Sequence, residues 1–117
     1  TLRAVYDPEP GIRVYEAHGD LLFSGAEQVI RVADRERDGF QVAILDVSRI
    51  DDIDDAARAL LSGMAEELRS DGKSGFVVDP DRSVIRADSD LDASRFASVA
   101  DAVDAARLWL DAARRGR

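Results

Sequence analysis

Residues 42 to 61 read VAILDVSRIDDIDDAARALL. Val42 to Leu45 is an almost unbroken apolar run, the pattern of a central strand buried on both faces, as parallel strands are. Asp46 and Ser48 follow at its C-terminal end. Asp51, Asp52, Asp54 and Asp55 then crowd together, and an amphipathic pattern starts: Ile53, Ala57, Leu60, Leu61, Met64 and Leu68, at steps of three and four. A buried strand feeding a helix through a polar junction is the unit of an α/β layer. The residues admit two readings of the aspartates. They suit a helix start, with Asp52 or Asp54 as cap and the others near the positive end of the dipole. They also invite Mg²⁺, which binds through one or two carboxylates and waters. No phosphate-gripping glycine loop accompanies them.

Outward from this stretch the pattern repeats. On the N-terminal side, residues 1 to 11 hold Pro8, Pro10 and Gly11 and read as a linker. Ile12 to Glu16 reads as a strand, His18-Gly19-Asp20 as a turn, and Leu21 to Phe23 as a short buried strand, antiparallel to the first. Ser24 with Glu27 forms a capping-box signature. The helix it opens carries Ala26, Val29, Ile30 and Ala33 on one face and stops near Gly39. On the C-terminal side, Asp71-Gly72 ends the helix after the aspartates, and Gly75 to Val78 reads as a strand closed by Asp79-Pro80. Residues 81 to 94 read mostly as loop, with Ser83 to Arg86 extended. Arg95 to Ala97 is a short last strand. Ser98 with Asp101 is a second capping box. The final helix shows Val99, Val103, Ala106 and Leu110 on one face, with Ala102 and Trp109 beside them. Arginines 114, 115 and 117 sit near its C-terminal end, where cations suit the dipole. The predicted division is a linker over 1–11, one domain over 12–114 and a basic tail over 115–117.

Composition narrows the function. The 117 residues are 45 % apolar, which suits one folded domain. The formal charge of −8 argues against nucleic acid and anionic membranes as partners. There is no cysteine, so thiolate metal sites and thiol catalysis are excluded. No apolar run approaches the roughly 20 residues of a membrane helix, and no secretory signal pattern is present. His18 is the one histidine and lies in a predicted turn, so no nucleophile–base set can be assembled around it. Ser24 and Ser98 are used as caps. A receiver domain would need an acidic pair after its first strand and a late lysine to serve Asp46. The one lysine, Lys73, precedes the fourth strand.

The sequence resembles the STAS domains, the sulfate-transporter and anti-sigma-factor-antagonist family. GDLLFSGAE (19–27), VAILDVSRIDDID (42–54) and RFASVADAVDAA (95–106) carry the resemblance. It implies an α/β fold with a single layer of about five strands in a mixed, mostly parallel sheet and three main helices. In anti-sigma antagonists of this family, the hydroxyl after the Ile-Asp pair is phosphorylated by a partner kinase. Ile53 and Asp54 match that pair. Asp55 falls on the phosphorylated hydroxyl, Ala56 on the next hydroxyl and Ala57 on the glycine. A carboxylate therefore stands where a phosphate would arrive, carrying about −1 against −1.5 to −2.

The resemblance adds a third reading of the aspartates, a partner-docking site of Asp54, Asp55 and Ala56, with Asp46 and Ser48 behind them. It implies a non-catalytic regulatory domain that needs no cofactor and no metal and binds an attached domain or a protein partner in the bacterial cytoplasm. The start at Thr1 and the linker-like residues suggest a piece of a longer protein. The segment 104–111, with Trp109, is similar to the tails of bacterial glutaminases that carry a C-terminal STAS domain. Homo-oligomerisation would then come through the parent. The alternatives are the cytosolic domain of a sulfate-family anion transporter, a free-standing anti-sigma antagonist and a nucleotide-binding module. An exposed Trp109 would anchor a neighbouring domain.

Overall fold

A computed structural model describes residues 1–86 and 92–116. Five strands form one sheet in sequence order. They are β1 (Leu2–Glu9), β2 (Ile12–Leu21), β3 (Val42–Ile53), β4 (Ser74–Val78) and β5 (Arg95–Phe96). β1 and β2 pair antiparallel, and all later pairs are parallel. Helices α1 (Phe23–Arg35) and α2 (Asp55–Ser70) cover one face, and α3 (Val99–Arg115) covers the other.

The predicted α/β layer is present, and its first third is built differently from the reading. Residues 1 to 11 are no linker: they hold strand β1 and its turn. Gly11, at φ +86, makes that turn, and its carbonyl accepts from Val42 N at 3.0 Å. The antiparallel partner of the Ile12 strand is therefore β1. The chain around His18-Gly19-Asp20 is the single strand β2 and not two strands joined by a turn, because β3 offers it a parallel partner along its length. His18 pairs with Arg49, Gly19 with Ile50 and Leu21 with Ile53, with register shifts absorbing the glycine. The capping box at Ser24 does not form either. α1 starts at Phe23, Leu22 occupies the cap position without a side-chain bond, and Ser24 lies inside the first turn.

The apolar stripes fall where the spacing put them. Ile12, Val14, Val42, Ile44, Phe76 and Val78 pack against Ala102, Val103, Ala106 and Leu110 of α3. Alternate residues of the same strands point the other way. Tyr15 and Ala43 meet Ala33, Met64 and Leu68, while Leu21, Val47 and Ile53 meet Ala26, Val29 and Ala57. Tyr15 is buried, and its hydroxyl donates to Glu36 at 2.7 Å. Burial, then the neighbouring carboxylate, raise its pKa. Residues 87–91 of the predicted 81–94 loop lie outside the described residues. Ser83 to Ile85 form a bend, not an extended segment, and Asp92–Ser94 a 3-10 turn. Basic residue 115, assigned to the tail, belongs to α3.

Candidate functional site

β2 and β3 run side by side to the same end of the sheet, and each leads directly into a helix. Leu21 pairs with Ile53, so Leu22-Phe23 and Asp54-Asp55 leave the sheet as neighbouring chain segments. Both apolar residues are exposed, Leu22 by 42 % and Phe23 by 46 %.

Asp54 is the cap of α2. Its backbone is extended, at φ −95 and ψ 167, and its Oδ1 accepts from Ala57 N at 2.7 Å. One of the backbone donors orphaned at every helix start is thereby satisfied. Asp55, in the first turn, has a side chain 92 % exposed. It accepts from Arg58 Nη1 at 2.7 Å, and Ala56 beside it is exposed. Asp51 and Asp52 are not part of the helix. They lie in the last stretch of β3, where Asp52 accepts from Ile53 N at 2.9 Å. Across the register Asp20 stands opposite Asp52. Like charges placed this way repel. Among the described residues, Asp20, Asp51 and Asp52 make no salt bridge, so this end of the sheet carries uncompensated negative charge.

The structure brings Asp54, Asp55 and Ala56 together and sets Asp46 and Ser48 apart, earlier on β3. Asp46 is buried, and its Oδ1 accepts from Ser48 N at 3.0 Å and Ser48 Oγ at 2.7 Å. It pairs in register with Glu16. Tyr6, on β1, has its pKa raised by burial and then by these two carboxylates, Asp46 and Glu16. Lys73, which a receiver domain would need beside Asp46, instead donates to the Phe40 carbonyl at 2.8 Å, before the start of β4. His18 Nε2 lies 3.3 Å from Glu16 Oε1, and the His18 backbone is bonded to Thr1 at the start of the chain. No group of three or more metal-ligating side chains exists among the described residues.

One residue that matters here escaped the sequence reading. Asp79 is 1 % exposed. Its carboxylate accepts from three backbone donors, Ser83 N, Val84 N and Ile85 N, each at 2.9 Å. The turn folded around it inserts Val84 and Ile85 into the core below α1 and α2. Arg58 ties this turn to the helix start, donating from Nε and Nη2 to Ser83 O at 3.2 and 3.0 Å. The Asp-Pro pair at 79–80 and the apolar pair at 84–85 were the available signal. Each was visible alone, but the turn connecting them has no periodicity.

The STAS domain family model matches residues 4–106. No curated protein sequence matches. Among solved structures, a crystal structure of Mglu is similar over 69 % of this chain, at 31 % identity and a TM-score of 0.63. That match spans 20 % of the Mglu chain. The anti-sigma factor antagonist SpoIIAA in its unphosphorylated form matches 89 % of this chain and 96 % of its own, at 17 % identity and a TM-score of 0.70. The phosphorylated form of the Bacillus cell fate determinant SpoIIAA gives a TM-score of 0.73 at 17 % identity, over 88 % of this chain and 97 % of its own. The SpoIIAA likeness establishes the fold. With the family match covering most of the residues, this chain belongs to the STAS domain family.

Proposed function

We propose that this STAS domain is a non-catalytic regulatory module that docks a protein partner through the end of the sheet where β2 and β3 pass into α1 and α2. The observation that carries the reading is an exposed apolar pair, Leu22 and Phe23, beside an acidic end where Asp55 is paired with Arg58 while Asp20, Asp51 and Asp52 make no salt bridge among the described residues. Exposed apolar surface rimmed by charge is characteristic of interaction sites. The partner it fits presents an apolar socket bordered by arginine or lysine. Asp55 stands at the position of the phosphorylated hydroxyl in the antagonists, so the docking surface holds a fixed carboxylate in place of a switchable one. Asp54 and Ala56 flank it, and Asp46 with Ser48 stiffens the strand behind it. The partner is the remainder of a larger bacterial protein of the glutaminase kind. Two facts support this: the 31 % identity to Mglu, and Mglu's having been solved in an L-glutamate binding form.

The test uses this chain and an Mglu-type core produced without its STAS region. Calorimetry is expected to show one-to-one binding that is weakened at least about tenfold, or about 1.4 kcal/mol, by Phe23→Asp and by Asp55→Arg. The chain alone is expected to turn over neither glutamine, ATP nor a phosphomonoester. Binding indifferent to both substitutions would overturn the docking surface. Absence of binding would overturn the choice of partner.

A further inference from the structure

α3 carries a second apolar stripe that the sheet does not cover. Ala105, Leu108, Trp109 and Ala112 are spaced i, i+3, i+4, i+7 and so share one flank of the helix. Ala105 and Trp109 are partly buried against the core, Ala112 is exposed, and Leu108 is 69 % exposed, the most of any large apolar residue described. The stripe reads the same from either end: a small residue, a gap of two, two large residues, a gap of two, a small residue.

We infer that this flank is a two-fold interface with a second copy of this chain, α3 packing antiparallel against α3. A two-fold axis between Leu108 and Trp109 sets Leu108 against the second copy's Trp109 and Ala105 against its Ala112. The alanines leave room for the large side chains between them. Such an interface is self-complementary, as two-fold contacts must be. Charge chooses the direction. Asp101 continues the stripe at its N-terminal end and Arg115 at its C-terminal end. The other arginines of the helix are occupied: Arg107 pairs with Glu9 and Asp104, and Arg114 with Asp111. Asp101 and Arg115 make no salt bridge among the described residues. An antiparallel pair brings each Asp101 beside the second copy's Arg115, twice per dimer, and opposes the helix dipoles. A parallel pair would set like charges together at both ends. One helix flank buries less than the roughly 1,200 Å² of a standard interface, so the dimer is weak and shows at high concentration. This surface lies on the opposite face of the sheet from α1 and α2 and does not depend on the docking reading above.

Sedimentation equilibrium of this chain at low salt, from about 10 μM to about 1 mM, tests it. The expected result is a monomer–dimer equilibrium, with the emission of Trp109, the one tryptophan, shifting blue as concentration rises. Leu108→Asp is expected to be monomeric throughout, with unchanged circular dichroism. Asp101→Arg and Arg115→Asp should each weaken the dimer about tenfold, since each acts twice, and the double exchange should restore it. Phe23→Asp should leave it unchanged. A monomer at the highest concentration would overturn the inference, and so would a dimer that Leu108→Asp leaves intact. A double exchange as weak as the single changes would overturn the antiparallel arrangement.

Discussion

Two acidic regions of this domain use carboxylates in opposite ways. At the start of α2, four aspartates lie within five residues, and Asp55 stands 92 % exposed. In the turn after β4, Asp79 is 1 % exposed and holds three backbone N–H groups at once. The first region is conspicuous in the sequence and costs the fold little. The second is a single letter before a proline, and the packing of Val84 and Ile85 depends on it. A run of charge marks surface, where water solvates each group. A charge that organises structure is buried, and burial requires that it be held by hydrogen bonds, as Asp79 is by three. Arg58 spans the two regions, bonded to Asp55 on one side and to the Ser83 carbonyl on the other. The proposed docking end of the sheet is thereby tied to a buried anchor.

The contrast can be broken by substitution, and the effects should fall in a definite order. Asp79→Ala leaves three backbone donors, two of them buried, without an acceptor and should lower stability by about 3 kcal/mol, read from urea unfolding. A loss under about 1 kcal/mol would mean that water replaces the carboxylate and the turn is not anchored by it. Asp54→Ala removes the α2 cap and should lower stability by about 1 kcal/mol in the same measurement. Asp55→Ser should fold normally, with a change below about 1 kcal/mol, because an exposed first-turn carboxylate gains only modestly from the helix dipole. That substitution also supplies the missing hydroxyl. Incubation with an anti-sigma-type kinase and ATP should place phosphate on the new serine and none on the unaltered chain, as mapped by mass spectrometry. Phosphate on Ser48 or Ser62 of the unaltered chain would show a switch moved elsewhere. Loss of folding in Asp55→Ser would erase the distinction between the two regions. Smallest of all, Ser24→Ala should change stability by less than about 0.5 kcal/mol, since Ser24 is not the cap of α1.

The three helix starts show how far local sequence reaches. Of the two cap candidates Asp52 and Asp54, Asp54 is the cap of α2, and Ser98 reads as a cap and is one, accepting from Asp101 N at 3.1 Å. Ser24, with an equally good signature, is not. Leu21 is drawn into β2 by its pairing with Ile53, and the helix follows immediately at Phe23. A capping signature is a local preference of about 1 kcal/mol, and strand pairing overrides it. The same reason explains residues 1 to 11. Two prolines and a glycine describe a linker in isolation, yet β1 forms because β2 offers an edge and Gly11 can turn the chain back onto it.

By itself the sequence determined the alternation of strands and helices, the apolar faces of all three helices and the Ser98 cap, and it narrowed the cap of α2 to Asp52 or Asp54. Each rests on a period of two or of 3.6 residues, or on a side chain bonding its own backbone three residues on, and such patterns are written in neighbouring letters. Tertiary structure alone decided that β1 exists, that β2 is continuous, that Asp20 faces Asp52, and that Leu22 and Phe23 stand beside Asp54 and Asp55. It alone decided that Asp79 is buried at the centre of a turn. These depend on partners distant in the chain, whose pairing is selected by the packing of the whole sheet between its helices and leaves no local pattern to read.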